Sequence, residues 1–234
     1  MKINEFFEEL KKIGIELTED QIKKLDEYYN LLVEWNEKIN LTAITKKEDV
    51  YLKHFYDSLT LIKAIDLNKQ IKVCDIGTGA GFPGLVLKIC FPNLKVTLVD
   101  ALEKRIKFLN LVIEKLDLKD INAIHSRAED YARNFKEEYD LVTCRAVAKL
   151  NILNELCLPM VKINGYFIPM KANISDEIEE AKSSLNKLNS KIDDIIEFKL
   201  PVEGSIRNLI KIKKIGKINS IYPRKFDKIK RNPL

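Results

Sequence analysis

From residue 71 onward the chain alternates short β-branched runs with stretches of helical spacing, and few folds accommodate that order. The runs are IKVCDI (71–76), LKVTLV (94–99), INAIH (121–125), YDLVTC (139–144), GYFIPMK (165–171), IDDIIEF (192–198) and RNLIKIKK (207–214). Helices are expected after Gly81, over 103–116, around 151–161 and over 175–188. Strands joined by helical crossovers lie parallel, with helices on both faces. The pattern therefore predicts a Rossmann-like α/β domain built on a seven-stranded, mostly parallel sheet. Only the PVEGS turn separates the last two runs, so these should pair as an antiparallel hairpin at an edge. Pro169 fits a central strand badly, because it has no N–H to donate.

Before residue 66 the rhythm is helical throughout. Ile3, Phe6, Phe7, Leu10 and Ile13 mark one face of a first helix. Thr18 and Gln21 form a capping box ahead of Ile22, Leu25, Tyr29 and Leu32, and a third helical stretch covers 49–65. Helices this short cannot bury their faces alone. Residues 1–66 are thus read as a helical extension packed on a core at 67–214. The end of the chain, 215–234, reads as a turn followed by a basic tail.

Composition narrows the class. Apolar residues make up 46 % and charged residues 32 %, which fits a globular domain and excludes disorder. No apolar run reaches the ~18 residues of a membrane span. The opening MKINEFFEELKKIGIEL mixes acids and lysines into its apolar positions and is no signal peptide. Cys74, Cys90, Cys144 and Cys157 lie far apart without a CxxC pair, and there are two histidines. Neither a metal site nor a disulfide framework is expected, and the cytoplasm is the expected location.

The strongest chemical signal is Asp75-Ile76-Gly77-Thr78-Gly79-Ala80-Gly81-Phe82-Pro83-Gly84, between the first strand and a helix. Glycines here let the backbone approach a ligand at the carboxyl edge of the sheet. Asp100 ends the next strand, where a carboxylate would bond both hydroxyls of a ribose. A dinucleotide fingerprint is a poor fit, because Phe82 occupies the place of its third glycine. Asp75 suits instead a cofactor with a cationic amino-acid end and no pyrophosphate, namely S-adenosylmethionine. Ser126-Arg127-Ala128-Glu129-Asp130 follows the third strand, where an acid and a backbone N–H would meet adenine. Arg145 follows the fourth strand, nearest the transferred methyl; a salt bridge to a helix explains it equally well.

Further motifs go beyond a generic methyltransferase. NLTAI (40–44), KHFYDSL (53–59), DIGTGAGFPG (75–84), SRAED (126–130), RAVA (145–148), RNLIKIKK (207–214) and YPR (222–224) follow in this order. Together they resemble the glucose-inhibited division protein B family, from about residue 30 to the C-terminus. The resemblance implies a class I methyltransferase fold and a bacterial enzyme that methylates N7 of a guanine in the decoding-region loop of 16S rRNA. It also implies Gly77, Phe82, Asp100, Ala101, Leu102, Ala128, Glu129 and Arg145 as cofactor contacts, beside Asp75 and Gly79 of the glycine turn. Asn40, His54 and Asp57 belong to family motifs and, with Arg145, are the catalytic candidates. His54 and Asp57 share a helix face and either line the guanine pocket or join the helical cap to the sheet.

Guanine N7 carries a lone pair and no proton, so the transfer needs alignment rather than a general base. Basic residues that could hold RNA phosphates are Lys104, Arg207, Arg224, Lys228, Lys230 and Arg231; a solubilising tail is the plainer reading of the last ones. The expected partner is 16S rRNA or the small ribosomal subunit, with no membrane and no metal, and nothing in the sequence demands more than a monomer. The competing classes are a methyltransferase for a small molecule or protein, a non-catalytic RNA-binding module, and, more distantly, a nicotinamide oxidoreductase.

Overall fold

The computed structural model describes residues 1–145, 148–174 and 176–234. Ala146 and Val147 of the RAVA run, and Ser175 at the expected start of the fourth crossover helix, lie outside the described residues. The helices are α1 (Ile3–Lys12), α2 (Glu19–Ile39), α3 (Lys47–Val50), α4 (Asp57–Leu59), α5 (Gly84–Cys90), α6 (Glu103–Lys115), α7 (Ala128–Asn134), α8 (Leu150–Cys157), α9 (Glu177–Lys187) and α10 (Phe226–Arg231). Tyr51–Tyr56, between α3 and α4, winds as a π-helical turn, a local widening that recurs at functional sites.

Among the described residues the strands β1 (Lys72–Ile76), β2 (Lys95–Asp100), β3 (Ile121–His125), β4 (Tyr139–Arg145), β5 (Val161–Lys171), β6 (Ser190–Lys199) and β7 (Ile206–Lys214) form one sheet. Their order is β3-β2-β1-β4-β5-β7-β6. The first five are parallel, and β7 runs antiparallel to both β5 and β6. The hairpin expected from PVEGS is present, with β7 inserted beside β5 and β6 left at the edge. Pro169 does lie within β5, opposite Cys144, and the ladder to β7 is made on either side of it at Phe167–Ile212 and Met170–Leu209.

Side-chain alternation divides the core between the two faces. Val73, Leu141 and Ile168 face a cluster with Phe6, Leu10, Leu25, Tyr28, Phe55, Leu85 and Phe108. Cys74, Val142 and Phe167 face the other way, toward Leu150, Leu153, Leu156, Leu185 and Ile210. The N-terminal helices therefore complete one face of the sheet. The capping box forms as expected, and the Gln21 amide also donates to the Cys90 carbonyl (2.9 Å), tying the start of α2 to the end of α5. All four cysteines are free and buried, and no described helix is long and apolar enough to cross a membrane.

Three features differ from expectation. β5 starts at Val161 rather than 165, because Asn164, at φ 69°, forms a bulge where NG reads as a turn. The seven-residue α7 is too short to show a period in the sequence. The tail contains α10, whose Ile229 is fully buried against the second cluster.

Candidate active site

Strand order reverses between β1 and β4, and the crevice above that point is where open α/β sheets bind ligands. The chain leaves β1 through Gly77, Gly79 and Gly81, at φ 66°, 62° and 105°. Gly77 and Thr78 donate to the Val99 carbonyl (2.8 and 3.2 Å), which stitches the turn to the end of β2. A Cβ on Gly79 would find only the Gly77 carbonyl, 4.0 Å away, so the outer side of the turn is open backbone. A Cβ on Gly81 would strike the Tyr28 hydroxyl at 2.7 Å. That hydroxyl donates to the Ala80 carbonyl (2.5 Å) and so holds the turn from α2.

Two carboxylates flank the turn. Asp75 is fully buried; its Oδ2 accepts from Thr78 Oγ1 (2.7 Å) and the Gly84 N–H (2.8 Å), and its Oδ1 is buried without a hydrogen-bond partner. Burial pushes its carboxyl up to about 6, against the pull of those two hydrogen bonds. A buried acceptor left open in this way fits a cationic ligand group. Asp100 accepts from the Gly79 and Leu102 N–H groups (both 2.9 Å) and pairs with Arg105 at 3.1 Å. Ala101 and Leu102 are exposed beside it, and the Ala101 carbonyl accepts from His125 Nε2 (3.0 Å). Ala128 opens α7 and Glu129 is buried behind it.

Arg145, at the carboxyl end of β4, is the hub of a second group. It donates to the Lys53 carbonyl (2.7 Å), to Asp57 Oδ2 (3.1 Å) and to His54 Nδ1 (2.8 Å), and its guanidinium lies 5.2 Å over the Phe82 ring. The π-helical turn presents the Lys53 carbonyl and His54 together. His54 stacks on Phe82 at 4.3 Å and contacts Thr42 Oγ1 through Nε2 (2.9 Å). Since Arg145 donates to Nδ1, the ring proton sits on Nε2 and is given to Thr42. Burial, helped by the Arg145 charge, pushes His54 down to about 3, so the ring is neutral. Asp57 is shared by two guanidiniums, with Arg207 Nε 3.3 Å from Oδ1, yet burial outweighs both and raises its carboxyl. Lys53, His54, Asp57, Arg145 and Arg207 line a cleft of about 500 Å³ together with Ile44, Met170, Lys171 and Glu177.

The structure thus brings His54, Asp57, Phe82 and Arg145 together, and it places Asn40 elsewhere. Asn40 is the exposed left-handed C-cap of α2, at φ 48°. Thr42, two residues along the same motif, is the one that reaches His54. The basic candidates also separate. Arg207 is held in the cleft by Asp57, and Lys104 is exposed at the start of α6, near Asp100. Arg224 is turned inward, with Nε and NH2 on the fully buried Glu155 at 2.8 and 2.6 Å. Lys228, Lys230 and Arg231 are exposed on α10. Sequence reasoning missed Tyr28, Thr42 and Lys53. Among the described residues no three His, Cys, Asp or Glu side chains are placed to hold a metal ion.

Comparison with known proteins follows this geometry. The family described as rRNA small subunit methyltransferase G (GidB) matches residues 21–218. Ribosomal RNA small subunit methyltransferase G of Lysinibacillus sphaericus is 51 % identical over 228 residues, covering 96 % of both chains. The protein of that name from Bacillus subtilis is 49 % identical over 96 % of this chain and 95 % of its own. An Aquifex aeolicus SAM-dependent methyltransferase structure superposes with TM-score 0.53 at 18 % identity, over 73 % of this chain and 94 % of its own, a likeness of fold. With the family match spanning most of the chain and half of all positions identical nearly end to end, this chain belongs to the rRNA small subunit methyltransferase G (GidB) family.

Proposed function

We propose that the protein transfers the methyl group of S-adenosylmethionine to N7 of a guanine in the decoding-region loop of 16S rRNA, acting in the cytoplasm as a monomer. The observation that carries this reading is the junction of two half-sites at one switch point. The glycine turn with Asp75 and Asp100 lies on one side, and the Arg145–His54–Asp57 cleft adjoins it through Phe82. S-adenosylmethionine, when bound, supplies an electrophilic methyl on a sulfonium sulfur. Asp75 Oδ1 takes the amino group of its amino-acid end. Asp100 takes the ribose hydroxyls, for which Arg105 competes. The Gly77 and Gly79 backbone forms the floor, and Ala101, Leu102, Ala128 and Glu129 border the adenine.

The acceptor base enters the Arg145 cleft, whose volume suits one nucleotide. Three of the five guanidinium donors of Arg145 are spent on Lys53, Asp57 and His54. The remaining two are left to fix the acceptor, so that N7 meets the methyl in line. Asp57 offsets charge as the base becomes cationic. His54 holds Arg145 in place and exchanges no proton. Lys104 and Arg207 hold phosphates near the cleft, and Lys228, Lys230 and Arg231 add affinity away from it. Transfer of tritium from S-adenosylmethionine into RNase-sensitive material on small ribosomal subunits tests the reading. Label found only in protein or in small molecules overturns it.

Two predictions arise here. With His54 neutral and no general base required, the rate of the chemical step is flat from about pH 7 to 9. Affinity for S-adenosylmethionine falls as the pH drops through about 6, where Asp75 of the free protein takes up a proton and loses its hold on a cation. Single-turnover rates across this range check the point, and a rise with pH above 7 contradicts it. Tyr28→Phe leaves the Ala80 carbonyl without its donor and loosens the glycine turn. Affinity for S-adenosylhomocysteine should fall about 5- to 10-fold, the equivalent of one hydrogen bond, as read by titration calorimetry. An unchanged affinity means that α2 does not support the turn.

A further inference from the structure

The tip of the β6–β7 hairpin, residues 200–205, contradicts the usual rules for a turn. Val202 has φ 69°, a left-handed backbone that β-branched residues almost never adopt. Its N–H neighbours close a three-residue turn, with Glu203 N donating to the Pro201 carbonyl at 2.8 Å, the strained positive-φ form of the γ-turn. Val202 is also 73 % exposed, more than Ile221, Ile215 or Ile206. Glycine or asparagine would suit the backbone, and a polar side chain would suit the exposure. Folding therefore gains nothing from a valine at this position.

The surroundings hold the tip rigidly at the mouth of the cleft. Glu203 pairs with Lys53 at 2.9 Å and accepts from Ser205 Oγ, which in turn accepts from Arg207 NH1 at 3.2 Å. Lys53 and Arg207 both line the Arg145 cleft. The Leu200 N–H donates to the Ser205 carbonyl (2.9 Å) and closes the loop behind them. Strain kept at such a place points to a task outside folding.

We propose that Val202 is an apolar wedge that packs on the face of an RNA base next to the acceptor guanine. This rests on the acceptor being an RNA base in the cleft. A base drawn out of its stack leaves neighbouring ring faces uncovered, and an aliphatic tip braced by the Glu203–Lys53 pair covers such a face without needing its sequence. Val202 thus acts on capture of the acceptor and leaves cofactor binding untouched.

Val202→Gly removes the wedge and relieves the backbone, so the variant folds at least as well. Its KM for small ribosomal subunits should rise about tenfold, the effect of losing one buried valine contact, with S-adenosylhomocysteine affinity unchanged. Because the native cysteines are all buried, Val202→Cys can be tagged alone with an aryl azide. Photolysis on subunits should cross-link it to rRNA within a few nucleotides of the methylated guanine. A normal KM for Val202→Gly, or cross-links to ribosomal protein alone, overturns the wedge while the unsubstituted enzyme stays active. An inactive unsubstituted enzyme overturns the acceptor reading itself, and the wedge with it.

Discussion

Replacing Arg145 with alanine lowers the rate of methyl transfer about 10²- to 10³-fold, the scale of losing the alignment of two reacting atoms. The side chain gathers the Lys53 carbonyl, Asp57 and His54 within 2.7–3.1 Å and covers the Phe82 ring. Without it the hydrogen bonds from the end of β4 to Lys53, His54 and Asp57 are lost, and the cleft loses the guanidinium between them. Asp57, 3 % exposed, would keep Arg207 as its one ion-pair partner among the described residues, so a loss of stability accompanies the loss of rate. Arg145→Ala in an Asp57→Asn background separates the two effects: stability recovers, and the rate stays well below that of Asp57→Asn alone. Arg145→Lys preserves the charge but not the planar fork, and it too should be slow. S-adenosylhomocysteine affinity should stay within a few-fold throughout. If affinity accounts for the whole loss, Arg145 serves the cofactor rather than the acceptor.

Glu155→Ala destabilises the protein by about 3–5 kcal/mol, the usual result of breaking a buried ion pair from one side. Glu155 is fully buried in α8 and receives the Arg224 backbone N–H (2.8 Å) together with its Nε and NH2. Removing the acid leaves a largely buried guanidinium uncompensated and releases the segment that carries α10. For a chain of this length the melting temperature should drop by roughly 6–20 °C. Replacing both partners with methionine should recover most of this, since an apolar pair of similar volume needs no hydration. Calorimetric melts of the two variants beside the unsubstituted protein check the prediction, and a loss below about 1 kcal/mol from Glu155→Ala would assign the pair to the surface class.

Legibility in the sequence follows the range of the interactions. The strands, the capping box at Thr18 and Gln21, the glycine turn and the strand-end acids are local patterns, and they occur where their spacing puts them, save that β5 begins four residues early at Val161. The NLTAI motif marks the right segment for a different reason. Asn40 caps a helix, and Thr42 makes the contact with His54. The spacing of α2 picks out Tyr29, yet it is Tyr28 that is fully buried, with its hydroxyl on a carbonyl 52 residues away. No periodicity encodes such a meeting. Arg224 looks like its exposed neighbours in a basic tail. The signal that could have singled it out lay elsewhere, in Glu155 as the one charge within LNILNELC, since an acid buried in such a helix requires a cation.

The most direct test uses small ribosomal subunits from cells lacking this gene, incubated with the purified protein and S-adenosylmethionine. The rRNA is then treated with chemistry that cleaves at N7-methylguanine, and the ends are mapped. A single new scission in the decoding-region loop of 16S rRNA, absent with Arg145→Ala, is the result expected. Methyl transfer without scission, or scission elsewhere in the RNA, would contradict the assignment of guanine N7 in that loop as the acceptor.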